Sequence, residues 1–237
     1  RDNIIMDWSS LIQIDKQLLL AVNGSESLFI DGLAVALTTA ATWIPLYLAL
    51  FFLVLRNNES MKQILLIVGC AALCVVLAGT VDDSIVKPAV ARLRPTHDLQ
   101  IGMSVDVVDG YRGGRYGFFS AHAANTFSIA VFFSLLVRNG ILSFLLVLWS
   151  LINCWTRMYL GVHFPGDILC GLIWGGLVGL SVYYVYYKIN VRISAGMKFI
   201  SSQYTSTGYQ LIDIDVVINV LFLTFVYTLI RACLVLL

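Results

Sequence analysis

Residues 33–55 form a run of 23 without one Asp, Glu, Lys or Arg. At 1.5 Å per residue, a helix of that length crosses the roughly 30 Å of bilayer hydrocarbon, where only helices and closed barrels satisfy their own backbone. Residues 63–81, 118–137, 141–155, 168–187 and 216–237 are further apolar runs, the last broken only by Arg231. The pattern predicts an all-α, polytopic bundle of six transmembrane helices. A barrel would instead alternate polar and apolar residues in segments of about 10. A mean hydropathy of +0.86 with 12% charged residues excludes a soluble globular domain, and a net charge of +1 leaves no nucleic-acid footprint.

Around these runs the chain carries weaker signals. Residues 7–22 mix Trp8, Leu11, Ile12, Leu18 and Leu19 with Asp7, Asp15 and Lys16. That stretch is too short and polar to span, and predicts an amphipathic helix lying in the membrane interface. Pro45 is expected to kink the first span. Gly171, Gly175, Gly176 and Gly179 lie on or near one helical face and predict close helix packing. The five Cys are scattered in apolar runs without CxxC pairs, so they read as small buried hydrophobes. Residues 188–215 form a polar connector. The five residues before Met6 read as an expression remnant, and no signal-peptide pattern follows them. With no repeat or separate soluble segment, residues 1–237 are one membrane-embedded domain.

Charge is concentrated in residues 82–117, which hold ten of the chain's 29 Asp, Glu, Lys and Arg residues. This is the expected extramembrane functional loop. Within it Lys87 and Arg94 each precede a Pro, which disfavours α geometry and places both cations where the chain leaves regular helix. Arg offers phosphate a bidentate fork and Lys a point charge, although this pair alone is better explained as a basic patch under anionic headgroups. Ser120 and His122 head the next apolar run, where free helix N–H groups favour an anion. A Ser cap with a chance interfacial His explains that pair equally well.

Arg157, His163 and Asp167 occupy a Gly- and Pro-containing turn between two apolar runs. Ionisable groups there are costly and mark a site. A carboxylate accepting from one imidazole nitrogen fixes the tautomer and leaves the other nitrogen free as nucleophile. A structural His–Asp bond with a snorkelling Arg is the competing explanation. Together the three clusters suit a phosphate ester, with one His to attack it and another to protonate the leaving group.

Lys87-x6-Arg94-Pro95, Ser120-Ala121-His122 and Thr156-Arg157-x5-His163-x3-Asp167, in that order, resemble the three-part signature of the type 2 phosphatidic acid phosphatases. These are integral-membrane lipid phosphatases related to the vanadium haloperoxidases. The motif-bearing core lies at residues 80–180. The resemblance implies that His163 attacks phosphorus and forms a phosphohistidine, with Asp167 orienting it. It implies that His122 protonates the leaving alkoxide and then activates water. Lys87, Arg94 and Arg157 would bind the phosphate, helped by Ser120 and the N–H of Ala121. Three positions depart from the family pattern: Phe119 and Ala121 stand in a motif that usually reads Pro-Ser-Gly-His, and Thr156 stands where Ser is usual. No metal or other cofactor is implied, because the cations supply the electrostatic work of a metal. His97 lies outside the motifs.

The implied partner is a lipid phosphate reached from the bilayer surface: undecaprenyl diphosphate, phosphatidylglycerol phosphate, phosphatidic acid or a lipid A phosphate. Neither a nucleic acid nor an obligate protein partner is implied. A transporter or flippase would place its polar residues at mid-span in broken helices. A metal hydrolase using His122, His163 and Asp167 would set a divalent ion against three cations. Arg112 and Arg115 read as solvated loop charges, with Tyr111 and Tyr116 as candidates to line the approach. Six spans put the site on the face opposite Arg56, Lys62, Arg138, Lys188, Arg192 and Lys198. With the phosphate ligands set aside, the positive-inside rule places the site on the periplasmic face of a bacterial cytoplasmic membrane.

Overall fold

The computed structural model describes residues 8–193 and 202–234. The five residues before Met6, Lys198 and the centre of the polar connector lie outside them. The described residues contain nine α-helices and no β-strand. These are α1 (Trp8–Val22), α2 (Leu28–Thr38), α3 (Ile44–Asn57), α4 (Met61–Val81), α5 (Lys87–Val90), α6 (Ala121–Val137), α7 (Gly140–Tyr159), α8 (Pro165–Ile193) and α9 (Leu211–Leu234). Five helical stretches are long and apolar enough to cross a membrane: Ala40–Asn57, Met61–Val90, Gly140–Tyr159, Pro165–Ile193 and Leu211–Leu234. The apolar helices α2 and α6 are shorter, with 11 and 17 residues. This is an integral membrane protein.

The first apolar run is two helices, not one kinked span. Thr39 is extended, and a single 3₁₀ turn (Ala40–Trp43) leads into α3. Side chains take over the carbonyls that α2 leaves free at its end. Thr39 Oγ1 donates to Val35 O at 2.7 Å, Thr42 Oγ1 to Ala36 O at 2.7 Å, and Trp43 Nε1 to Leu37 O at 2.8 Å. Pro45 falls in the first turn of α3, where its missing N–H costs nothing.

Three further boundaries move. The second span does not stop at Val81: a π turn (Asp82–Val86) carries it into α5. Lys87 is therefore α-helical despite Pro88, because Pro88 sits in the first turn of α5, and only Arg94 has the extended backbone expected before proline. Arg157 belongs to the last turn of α7 rather than to the turn beyond it. The polar connector shrinks, since α8 runs to Ile193 and α9 begins at Leu211.

In the bundle α6 is central, packed against α8, α7 and α4, while α2 and α3 pack on α9. Lipid tails are as apolar as Leu, so helices in a bilayer associate by close fit rather than by expelling water. The glycines of α8 supply that fit. An added Cβ would stand 2.7 Å from Ser120 O at Gly171, 2.4 Å from Ala124 O at Gly175 and 2.7 Å from Ser128 O at Gly179. Gly176 faces the Phe127 ring instead. Farther from the site Trp43 meets Trp149 and Phe225 edge-on, at 5.6 and 5.4 Å. Cys70, Cys74 and Cys154 are buried as expected, whereas Cys170 is half-buried and Cys233 exposed.

Candidate active site

Four helix ends converge. Lys87 opens α5 in the extension of α4, Ser120 caps α6, Arg157 ends α7 and Asp167 opens α8. The remaining cation, Arg94, comes from a short antiparallel pairing. Arg94 N–H donates to Arg115 O at 3.1 Å, and Gly117 N–H donates to Arg92 O at 2.9 Å, around an isolated bridge between Leu93 and Tyr116. Gly113 and Gly117 lie against the Arg94 side chain, and an added Cβ at Gly113 would stand 2.5 Å from Nη1.

His163 is 1% exposed in the turn between α7 and α8. Arg94 Nη1 stands 3.2 Å from its Nε2 and donates to Val162 O at 3.0 Å. A guanidinium only donates, so Nε2 carries the lone pair and Nδ1 the hydrogen. Nδ1 lies 3.7 Å from Asp167 Oδ2 and has no closer partner. Asp167 is fully buried; its Oδ2 accepts from Phe164 N–H at 3.0 Å, and its backbone carbonyl accepts from Ser120 N–H at 3.1 Å. Burial lowers the pKa of His163 well below the ordinary value, and Arg94, Arg157, Lys87 and His122 lower it further. These groups share one electrostatic neighbourhood.

Arg157, 4% exposed, donates from Nη1 to Thr38 Oγ1 at 2.7 Å and Tyr111 OH at 2.8 Å, while its buried Nε has no partner. Lys87 is held by Asp82 at 2.7 Å and Asp83 at 2.5 Å. The buried Arg94 and Arg157 form no ion pair among the described residues. Burying a charge without a counter-charge is expensive, so an incoming anion would find compensation already in place here.

Ser120 is buried, and its Oγ accepts from Ala123 N–H at 3.4 Å. Ala121 and His122 open α6, where helix geometry leaves backbone N–H groups free. The Phe119 departure has a local reason: its N–H donates to Asp82 Oδ1 at 3.1 Å, a bond proline cannot make. Thr156 uses its hydroxyl within α7, donating to Asn153 O at 2.7 Å. Four residues around the site escape sequence reading: Asp15, Thr38, Asp82 and Arg92, whereas Tyr111, a candidate for the approach, bonds Arg157. Only Arg92 leaves a signal, two residues before Arg94 and hence on the same side of an extended segment. Among the described residues no three His, Cys, Asp or Glu side chains are grouped to hold a metal ion.

Comparison with known proteins agrees with this architecture. Residues 63–190 match the PAP2 superfamily. The chain is 40% identical over 186 residues to a lipid A 4'-phosphatase of Bacteroides thetaiotaomicron, covering 78% of this chain and 82% of that one. It is 36% identical over 178 residues to a lipid A 4'-phosphatase of Porphyromonas gingivalis, covering 74% of each. The crystal structure of Aquifex aeolicus LpxE shares the fold with a TM-score of 0.53 at 20% identity, over 71% of this chain and 93% of that one. Motif order, converging helix ends and these relatives place the chain in the PAP2 superfamily, as a membrane-embedded phosphatase.

Proposed function

We propose that the enzyme removes a phosphate from lipid A through a phosphohistidine intermediate. Two buried arginines without a carboxylate partner, beside a neutral imidazole, carry this reading. The names of the two relatives point to lipid A as the substrate class. The phosphoryl group lies among Arg94, Arg157, Lys87 and the first-turn N–H groups of α6, where Ser120 and Ala121 support it. Arg94 leaves Nε2 for a phosphoryl oxygen and thereby uncovers the lone pair. Nε2 then attacks phosphorus while the P–O bond to the lipid breaks, and His122 gives its proton to the leaving alkoxide. Asp167 steadies the Nδ1–H of the cationic ring. Next, His122 takes a proton from water, the oxygen attacks phosphorus, and the P–N bond breaks to release inorganic phosphate. Concentrated positive charge stabilises the equatorial oxygens in both steps.

The six-span plan, the single domain and the periplasmic site belong to the same proposal, with α6 as the shortest crossing. In it α1 lies in the interface, with its exposed Trp8, Ile12 and Leu18 in lipid. Its charged face turns inward instead, where Lys16 pairs with Asp98 at 2.8 Å.

The test is inorganic phosphate release in detergent from lipid A, undecaprenyl diphosphate, phosphatidylglycerol phosphate and phosphatidic acid, with and without EDTA. Lipid A is the expected best substrate, release survives EDTA, and His163→Ala abolishes it. Loss of release in EDTA would replace this mechanism with a metal-assisted one, and preference for another lipid would reassign the substrate.

A further inference from the structure

Arg92 has no role in the chemistry above, yet it holds the catalytic turn from three directions. Its Nη1 donates to Asp167 Oδ1 at 2.7 Å, and its Nη2 donates to Asp15 Oδ2 at 2.6 Å. The guanidinium lies 4.3 Å from the centroid of the Phe164 ring. Asp15 reaches the same turn with its other oxygen, accepting from Gly166 N–H at 2.7 Å. Residues 164–167 are thus gripped by one guanidinium from the extended segment and one carboxylate from α1.

We propose that Arg92, held by Asp15, is a positioning residue that keeps Asp167 ionised and aimed at His163, which makes α1 part of the catalytic apparatus. The proposal rests on the phosphohistidine reading. A fully buried carboxylate beside a neutral imidazole is costly as an anion, and a protonated one neither accepts from Nδ1–H nor balances the imidazolium formed on phosphorylation. Arginine is charged at every working pH, so it supplies compensation that does not itself titrate. The charged and titratable groups around Asp167 are His163 in the turn, Arg92 and Arg94 in the extended segment, Asp15 on α1 and Cys170 on α8. Of the two cations, Arg92 alone bonds the carboxylate. Its partner oxygen Oδ1 is also the one His163 does not face, so the cation holds the carboxylate without competing for the imidazole.

The experiment measures kcat and KM for phosphate release by the full chain across pH, in wild type, Arg92→Gln, Arg92→Lys, Asp15→Ala, Asp167→Asn and His163→Ala. Arg92→Gln is expected to lower kcat by about 10- to 100-fold, as loss of the groups that orient metal-binding histidines does, with KM little changed because the phosphate-binding residues remain. Removing the cation that bonds the carboxylate favours its protonated form, so the acid limb of kcat moves to higher pH. Arg92→Lys keeps the charge but not the fork: its limb stays in place while its kcat falls less. Asp15→Ala falls between wild type and Arg92→Gln. An Arg92→Gln profile parallel to wild type would reduce Arg92 to a structural brace, as would full wild-type kcat in either Arg92 variant. If Arg92→Gln does not fold, Arg92→Lys decides: lowered kcat with an unmoved limb supports positioning, and wild-type kcat overturns it. Full activity in Asp167→Asn would instead overturn the underlying His163–Asp167 reading.

Discussion

His163 faces a guanidinium through Nε2 and has no hydrogen-bond partner at Nδ1, so its protonation state is set mainly by what surrounds it. Burial and the neighbouring cations hold its pKa well below the unfolded value of about 6.5. As pH falls below that value the unfolded chain takes up a proton that the folded one refuses. Stability is therefore complete above the unfolded pKa and is lost as pH falls toward the folded one, at a slope of up to about 1.4 kcal/mol per pH unit. Thermal melting in detergent is expected to drop more steeply from pH 6.5 to 5 in wild type than in His163→Asn; parallel curves would show that the folded imidazole titrates normally. His163, Arg157 and Asp167 are legible in sequence because ionisable groups stand out against apolar runs. Their partners are not. Arg92 and Asp15 are 75 and 152 positions from Asp167, and they reach its carboxylate and its turn only after the chain has folded.

Hydropathy locates the apolar helices, since it records which residues face lipid or core, but of the six runs five coincide with helical stretches long enough to cross a membrane among the described residues. Breaks inside the runs it does not locate. Residues 33–55 hide a helix end because Thr39, Thr42 and Trp43 satisfy α2's carbonyls without adding a charge. The converse holds at residues 82–90, where polar residues continue a helix and Lys87 finds its carboxylates one turn back. The glycine face of α8 was readable as a packing face, and it supports a sharp contrast. Gly175→Ala puts a methyl group against the α6 backbone, which has no side chain to swing aside, and is expected to cost about 1–3 kcal/mol. Gly176→Ala meets only the edge of the Phe127 ring at 3.2 Å and is expected to melt close to wild type. Thermal melting of both variants checks this, together with phosphate release, since a shift of α6 moves Ser120 and His122 as well.

Across the whole molecule the two ends of the bundle differ in kind. At one end Lys87, Arg94, Arg157, His122, His163 and Asp167 gather where α4, α6, α7 and α8 turn. At the other, α3 and α9 are joined by Asn57, which donates to Asp213 at 3.0 Å and accepts from Gln210 N–H at 2.7 Å, with no imidazole nearby. A phosphate headgroup can meet the catalytic end only from the leaflet that borders it. In sealed vesicles carrying the enzyme in a single orientation, phosphate release is expected to stop once that leaflet is exhausted, and to resume when detergent opens the bilayer. Continuous release to completion in intact vesicles would contradict it. On the proposed mechanism, the polarity of the bundle makes hydrolysis vectorial. Each turnover removes negative charge from one face of the membrane alone, so a lipid delivered to the opposite face keeps its phosphate until something else carries it across.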